Sequence, residues 1–388
     1  MRIENLFLDL YNISRNKHQK FLCGDFFGTF GDAEHRVIAM SDGLGSGVRA
    51  NILATLTSTI LGTMLARNVP LEDCVDTVAS TLPVSRDHGI AYATFTAVEV
   101  AGDTAFLMNY DNPSPILIRG GKVIRYPYSV RFVGDKEVHE SRIQLYENDI
   151  LILMSDGVTH SGIGKHNDNG WSTKEVGQFL MEHDILNLSA IEIGALIQQR
   201  CLELCNGEND DDTTTTVLRF CRRSTVNLMM GPPKHMDDDD KVCGLFFGKA
   251  GKHVVCGGST SNMVSRYLGK PIEIIADSGD DEIPDMATIE GVDMVTEGII
   301  TIQKIVEMLK ETQEDPLKVL QFHAQYDPAS RLCHLLVDES TDINIYFGMA
   351  ANDAHDSIGI SFDDKLKSIR ELEELLSKLG KNVRISYC

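Results

Sequence analysis

Two apolar stretches of this chain end on the same three residues. Residues 37–40 (VIAM) run into Ser41-Asp42-Gly43, and residues 149–154 (DILILM) run into Ser155-Asp156-Gly157. A short apolar run bounded by a turn signal reads as a buried strand. Each Asp therefore stands where a strand delivers its last side chain to the edge of a sheet. Two further acidic positions share that placement. Asp25 lies in Cys23-Gly24-Asp25-Phe26-Phe27, and Asp211 and Asp212 open a threonine-rich strand expected over 213–220. The glycine after Asp42 and Asp156 lets the backbone turn sharply and lets its own carbonyl approach a ligand. Carboxylates, a carbonyl and water make the all-oxygen shell that Mg2+ and Mn2+ prefer. Two such ions can activate water and clamp a phosphoryl group. A single Asp-Gly is mainly a turn signal; the set and its order are what constrain the chain.

Between these points the first part of the chain reads as short strands and turns with a few helices. Residues 47–67 have helical periodicity, and 93–100, 105–109 and 116–119 read as strands, with Gly120-Gly121 as a hairpin turn. Residues 172–183 and 189–204 read as amphipathic helices, each opened by a serine in N-cap position.

The series GDFF, SDGLGSG, DILILMSDGV and DDDTTTTVLRF resembles the motif series of SpoIIE-like phosphatases of the PP2C superfamily. Those typically read GDxx, then a DGMGHG-like loop, then DxLxLxSDG, then DDMT followed by a strand. The turn Asn112-Pro113-Ser114-Pro115 also resembles the family's Pro–Ser turn. The resemblance covers residues 1–223. It implies an α+β fold, a PP2C-like α-β-β-α sandwich in which two packed antiparallel sheets are flanked by helices. It implies a metal-dependent protein serine/threonine phosphatase with two Mn2+ or Mg2+ ions, in which a metal-activated water attacks the phosphomonoester and no side chain is the nucleophile. Carried over by position, Asp42 bridges the two metals, Gly43 ligates through its carbonyl, Asp156 and Asp211 hold one ion, and Asp25 holds the other or orients its waters. Asp210 and Asp212 are alternatives to Asp211 within the DDD run. Leu44 stands where eukaryotic relatives have a histidine acid, and no arginine near the N-terminus is assignable to phosphate binding. His35, His88, His139 and His160 show no partner pattern and read as surface or satisfied core residues.

Gly231-Pro232-Pro233 and the run Asp237-Asp238-Asp239-Asp240-Lys241 suggest a linker over 229–241, which places the phosphatase domain at 1–228 and a smaller α/β domain at 242–388. From 242 onward, strands and helices alternate. Residues 253–256 form a strand leading into Gly257, Gly258, Ser259, Thr260 and Ser261, followed by a helix. Backbone N–H groups and hydroxyls at a helix start make an anion site, so a small anionic ligand is expected there. The competing interpretation is a tight βα turn with Ser259 or Ser261 as cap.

The 57 acidic against 36 basic residues, a formal net charge of −21, leave no basic footprint for nucleic acid. The nine cysteines are scattered without zinc spacing, and MRIENLFLDL lacks the basic start and apolar stretch of a signal peptide. No apolar run approaches a membrane span. A cytoplasmic protein without membrane or nucleic-acid partners is the expectation. Its substrate is expected to be a phosphorylated protein, a small bacterial regulator in that branch of the family. Control is expected from the C-terminal domain, a partner or homodimerisation. The other readings are a catalytically weak phosphatase-fold sensor or scaffold, and a small-molecule phosphatase.

Overall fold

The computed structural model describes residues 6–32, 34–81, 93–134, 136–166, 168–275, 286–322, 327–350 and 362–388. It divides into two units, Met1–Arg222 and Arg223–Cys388. In the first, β1 (Phe7–Arg15), β2 (Asp25–Gly31) and β3 (His35–Asp42) are followed by helices α1 (Val48–Leu65) and α2 (Leu71–Thr81). Strands β4 (Phe95–Ala101), β5 (Thr104–Tyr110), β6 (Ile116–Arg119), β7 (Lys122–Ile124), β8 (Ser129–Val133), β9 (Lys136–Gln144) and β10 (Asp149–Met154) come next. Helices α3 (Asp156–Thr159), α4 (Thr173–Met181) and α5 (Ala190–Leu204) precede β11 (Thr213–Cys221). A five-stranded sheet runs β1-β11-β10-β6-β7 and a six-stranded sheet runs β2-β3-β4-β5-β9-β8. Every strand pair in both is antiparallel.

The all-apolar strands of the sequence are explained by what covers their two faces. In β10, Leu151 and Leu153 join Ile38, Met40, Leu107 and Leu218 in a core between the sheets. Its alternate residues Ile150, Ile152 and Met154 instead pack with Val176, Leu180, Ile193 and Ile197 of α4 and α5. On the other side, Leu61, Leu65 and Val75 of α1 and α2 cover Val37, Phe95 and Met108. The result is the α-β-β-α sandwich. Period-2 alternation vanishes because a helix layer covers each sheet on the face away from its partner. Both serine caps form capping boxes, Ser172 with Glu175 and Ser189 with Glu192. Helix α1 has the length and mean hydropathy, 1.2, of a membrane span, contrary to the sequence expectation; it packs on β2 and β3.

The second unit contains β12 (Thr225–Met230), α6 (Asp239–Phe247), β13 (Lys252–Cys256), α7 (Gly258–Leu268), β14 (Glu273–Ile275), β15 (Met286–Thr288) and β16 (Met294–Thr296). After these come α8 (Ile299–Glu314), α9 (Val319–Phe322), α10 (Pro328–Val337), β17 (Asp342–Phe347), α11 (Phe362–Lys378) and β18 (Asn382–Tyr387). Its sheet runs β14-β15-β16-β13-β12-β17-β18, with β16 through β18 parallel and β14 and β15 antiparallel.

The expected linker is absent. Residues 225–230 form the central strand β12, and the acidic run opens α6, with Asp239 and Asp240 in its first turn. Carboxylates there complement the helix dipole, so the charge run marks a helix start. Gly231-Pro232-Pro233 ends a strand inside the unit, and the boundary falls between Arg222 and Arg223.

Candidate metal centre

The site forms at one edge of the sandwich, where each sheet contributes two strand ends. In the six-stranded sheet, the first residue of β2 and the last of β3 are register partners, Asp25 opposite Asp42. In the five-stranded sheet, β10 pairs antiparallel with β11, so Asp156 after one strand and Asp211 before the other come to the same edge. Ligand atoms of Asp156, His160 and Asp211 all lie within 4.8 Å of one another. Asp42 is near both Asp25 and Asp156 and joins the two halves.

Close backbone packing explains two of the glycines. A Cβ on Gly43 would stand 2.0 Å from the Ala50 carbonyl oxygen, in the first turn of α1. A Cβ on Gly157 would stand 2.0 Å from the Asp212 carbonyl oxygen. The two Asp-Gly motifs therefore hold the site against α1 and the start of β11.

Charge is concentrated here. Burial, then the charges of Asp25 and Asp156, push the Asp42 carboxyl up to about 10. Burial also pushes Asp25 up to about 7, partly offset by the nearby Thr214 and Ser155 hydroxyls. Asp211 is raised as well, chiefly by burial. Both Asp25 oxygens and Asp212 Oδ2 are buried without a well-formed hydrogen bond. Crowded carboxylates with orphaned oxygens need either protons or cations. An all-oxygen acidic set of this kind fits Mg2+ or Mn2+.

The three residues of the DDD run separate. Asp210 pairs with Lys165 at 2.8 Å. Asp212 is 3 % exposed and accepts the Lys17 N–H at 2.8 Å. Asp211 faces Asp156 and His160. Two neighbours escaped the sequence reading. His160, expected to be a bystander, has Nδ1 3.7 Å from Asp156 Oδ2; the i,i+4 spacing after the Asp-Gly was the available signal. Lys17 Nζ lies 3.8 Å from Asp211 Oδ1, delivered by a turn after β1 that no local pattern marks. His35 is paired with Glu99 at 2.7 Å and His139 with Glu137 at 3.0 Å, while His88 lies outside the described residues.

The family described as "Stage II sporulation protein E (SpoIIE)" matches residues 32–221. Most of the first unit is thus similar to the SpoIIE family. This domain is 26 % identical over 168 residues to Stage II sporulation protein E of Priestia megaterium, covering 41 % of this chain and 28 % of the relative. It is 24 % identical over 187 residues to the Bacillus subtilis (strain 168) protein, covering 47 % and 22 %. The chain thus spans about a quarter of the length of these curated relatives. The B. subtilis SpoIIE phosphatase domain without domain swapping is 21 % identical, with a TM-score of 0.46, covering 57 % of this chain and 96 % of that one.

In the second unit, the five residues expected to bind an anion fall at the end of β13 and the start of α7. Ser261 does not fit that role: it is 4 % exposed and its hydroxyl donates to the Gly257 carbonyl at 2.9 Å.

Proposed function

We propose that the first unit is a divalent-metal-dependent phosphatase that hydrolyses phosphoserine or phosphothreonine on a protein, a small regulatory protein by family resemblance. The observation that carries this reading is the meeting of Asp25, Asp42, Asp156 and Asp211 at one edge, with Asp25 and Asp42 pushed far above the ordinary carboxylate range. Asp42, central to the cluster, would be shared by two ions; Asp25 would serve one, Asp156 and Asp211 the other, and the Gly43 carbonyl would complete the set. When bound, Mg2+ or Mn2+ would activate a water for attack and offset charge on the phosphoryl oxygens. Asp212 lies buried beneath and anchors the Lys17 backbone. The Lys17 ammonium, at the rim beside Asp211, is placed to hold a phosphate oxygen. His160, beside Asp156, is placed to hold and return a proton.

The test is turnover of p-nitrophenyl phosphate by the full chain with Mn2+ and with EDTA, followed by phosphoserine and phosphothreonine peptides and a panel of phosphorylated metabolites. Metal-dependent hydrolysis that favours the peptides supports the reading. Full activity after exhaustive chelation sinks the metal mechanism, and exclusive hydrolysis of metabolites sinks the protein substrate.

A further inference from the structure

The first unit carries an exposed surface that its metal centre does not account for. Strand β1 is joined to β2 by residues 16–24, which start beside Asp211, at Lys17, and run to Asp25. This connection is a fixed turn. The Lys20 N–H donates to the Lys17 carbonyl at 3.0 Å, the Asn16 side-chain amide donates to the Lys20 carbonyl at 3.2 Å, and the His18 N–H donates to the Asn209 carbonyl at 2.9 Å. The turn is also fastened to α1. Asn51 Nδ2 donates to the Cys23 carbonyl at 2.9 Å, and a Cβ on Gly24 would stand 3.0 Å from the Ala50 Cβ. The turn and the first half of α1 therefore form one rim beside the aspartates.

That rim is apolar where it meets solvent. The Phe21 ring is fully exposed and Leu22 beside it is 40 % exposed. Val48 and Ile52, one turn apart on the same face of α1, are 63 % and 48 % exposed. Single exposed apolar residues are ordinary. Several on two joined segments, one of them an aromatic ring held out by a hydrogen-bonded turn, mark a contact surface. The charge of the rim is equally one-sided. In a chain of formal net charge −21, no acidic residue occurs between Asp9 and Asp25 or between Asp42 and Glu72, whereas Lys17, His18, Lys20 and Arg49 do. Lys17 and His18 are engaged with Asp211 and Glu208. Lys20 and Arg49 are exposed and form no ion pair among the described residues. The rim thus joins an apolar face to uncommitted positive charge, next to the site assigned to a phosphate.

We propose that this rim docks the segment of a phosphoprotein that flanks its phosphorylated residue, and that it selects a segment with an apolar side chain beside that residue and acidic side chains beyond it. The inference rests on the phosphatase reading and adds substrate selection to it. A phosphoprotein has to lie across the rim to bring its phosphate to the aspartates, which is what names the occupant. Phe21, Leu22 and Ile52 take the apolar side chain, and Lys20 and Arg49 take the acidic ones. None of these five belongs to the metal-binding set.

The test is steady-state hydrolysis by the full chain in Mn2+ of p-nitrophenyl phosphate, which is too small to span the rim, and of two phosphoserine peptides. One peptide has leucine beside the phosphoserine and glutamates beyond it; the other has glycine and lysines in those places. The first should have a kcat/KM about tenfold higher, the effect of one buried apolar side chain. Phe21→Ser should remove about that factor from the first peptide, through KM. It should leave p-nitrophenyl phosphate turnover and the melting temperature unchanged, since the ring is fully exposed. Lys20→Glu should raise the KM of the same peptide several-fold at low salt and little at high salt. If p-nitrophenyl phosphate is hydrolysed but the two peptides are equivalent, or both variants process the first peptide like the wild type, the docking inference is overturned and the phosphatase reading stands. If the wild type shows no metal-dependent turnover of p-nitrophenyl phosphate, the phosphatase reading falls and the docking inference with it.

Discussion

Asp42→Asn should make the metal-free protein more stable while removing its response to metal. A carboxyl group whose folded value lies above its unfolded value is neutral in both states at low pH and costs nothing there. The cost begins as pH rises through the unfolded value and grows until pH reaches the folded one. For Asp42 these values are 3.8 and about 10. At about pH 7.5 the cost integrates over roughly 3.7 pH units at about 1.36 kcal/mol each, or about 5 kcal/mol. That is a ceiling, because water reaches the open side of the cluster and screens it; about 2–3 kcal/mol is a reasonable working value at the effective dielectric of such sites. Asparagine keeps the shape and removes the charge. For a unit of this size, about 1 kcal/mol moves the melting temperature by about 2–4 °C, so a rise of about 5–10 °C is expected in EDTA. With Mn2+ the gap should close. Metal at about a hundred times its dissociation constant adds about 2.7 kcal/mol to the wild type, and the variant, lacking its bridging carboxylate, should gain little. Differential scanning fluorimetry of both proteins in EDTA and in Mn2+ reads this directly. A variant that melts at or below the wild type in EDTA, or that gains as much from Mn2+, would refute both the crowding and the assignment of Asp42.

Three further outcomes follow from packing. Gly43→Ala puts a methyl into the backbone of α1, 2.0 Å from the Ala50 carbonyl oxygen, where no rotamer change gives relief; a loss of about 3 kcal/mol in chemical denaturation and a collapse of Mn2+-dependent turnover are expected. Asp149 is fully buried, and Arg119 holds it through two contacts of 2.8 and 2.7 Å. Arg119→Met strands that carboxylate and should cost about 2–3 kcal/mol in urea, below the value for a fully buried pair because Arg119 is about a third exposed. A fragment 223–388 should be soluble and folded by circular dichroism, whereas 229–388, which lacks most of the central strand, should aggregate; equal behaviour would contradict the boundary after Arg222.

The meeting of the aspartates at one sheet edge was largely legible in sequence because these residues sit at local signals. An apolar run stopped by Ser-Asp-Gly fixes both the strand and the residue presented at its end, and a serine followed three residues later by glutamate fixes a helix start. Lys17 was not legible, since it reaches Asp211 through tertiary contact with no local pattern. Strand β1 was missed for a similar reason. Its polar residues are accommodated by pairing with β11, Asn12 accepting from the Thr216 hydroxyl at 2.7 Å, across a separation of 204 residues. Helix α10 was overlooked despite a clear start, Asp327 capping Ala329 and Ser330 ahead of Pro328. The misplaced linker came from reading acidity as solvent exposure, when four successive carboxylates also suit the first turn of a helix.

The centre of the second sheet is made first. Strand β12 pairs with β13 at once, but its other neighbour, β17, is 117 residues further along, as Thr225 opposite Asp342 shows. At about 5–20 residues per second, a ribosome needs about 6–23 s to supply it. Over that interval one edge of a mostly apolar strand, with Leu228 and Met229 fully buried in the finished protein, has no strand beside it. A nascent chain interrupted between Phe247 and Asp342 should therefore be a strong client of holding chaperones, while the same interruption after Tyr387 should release a chain that no longer needs them.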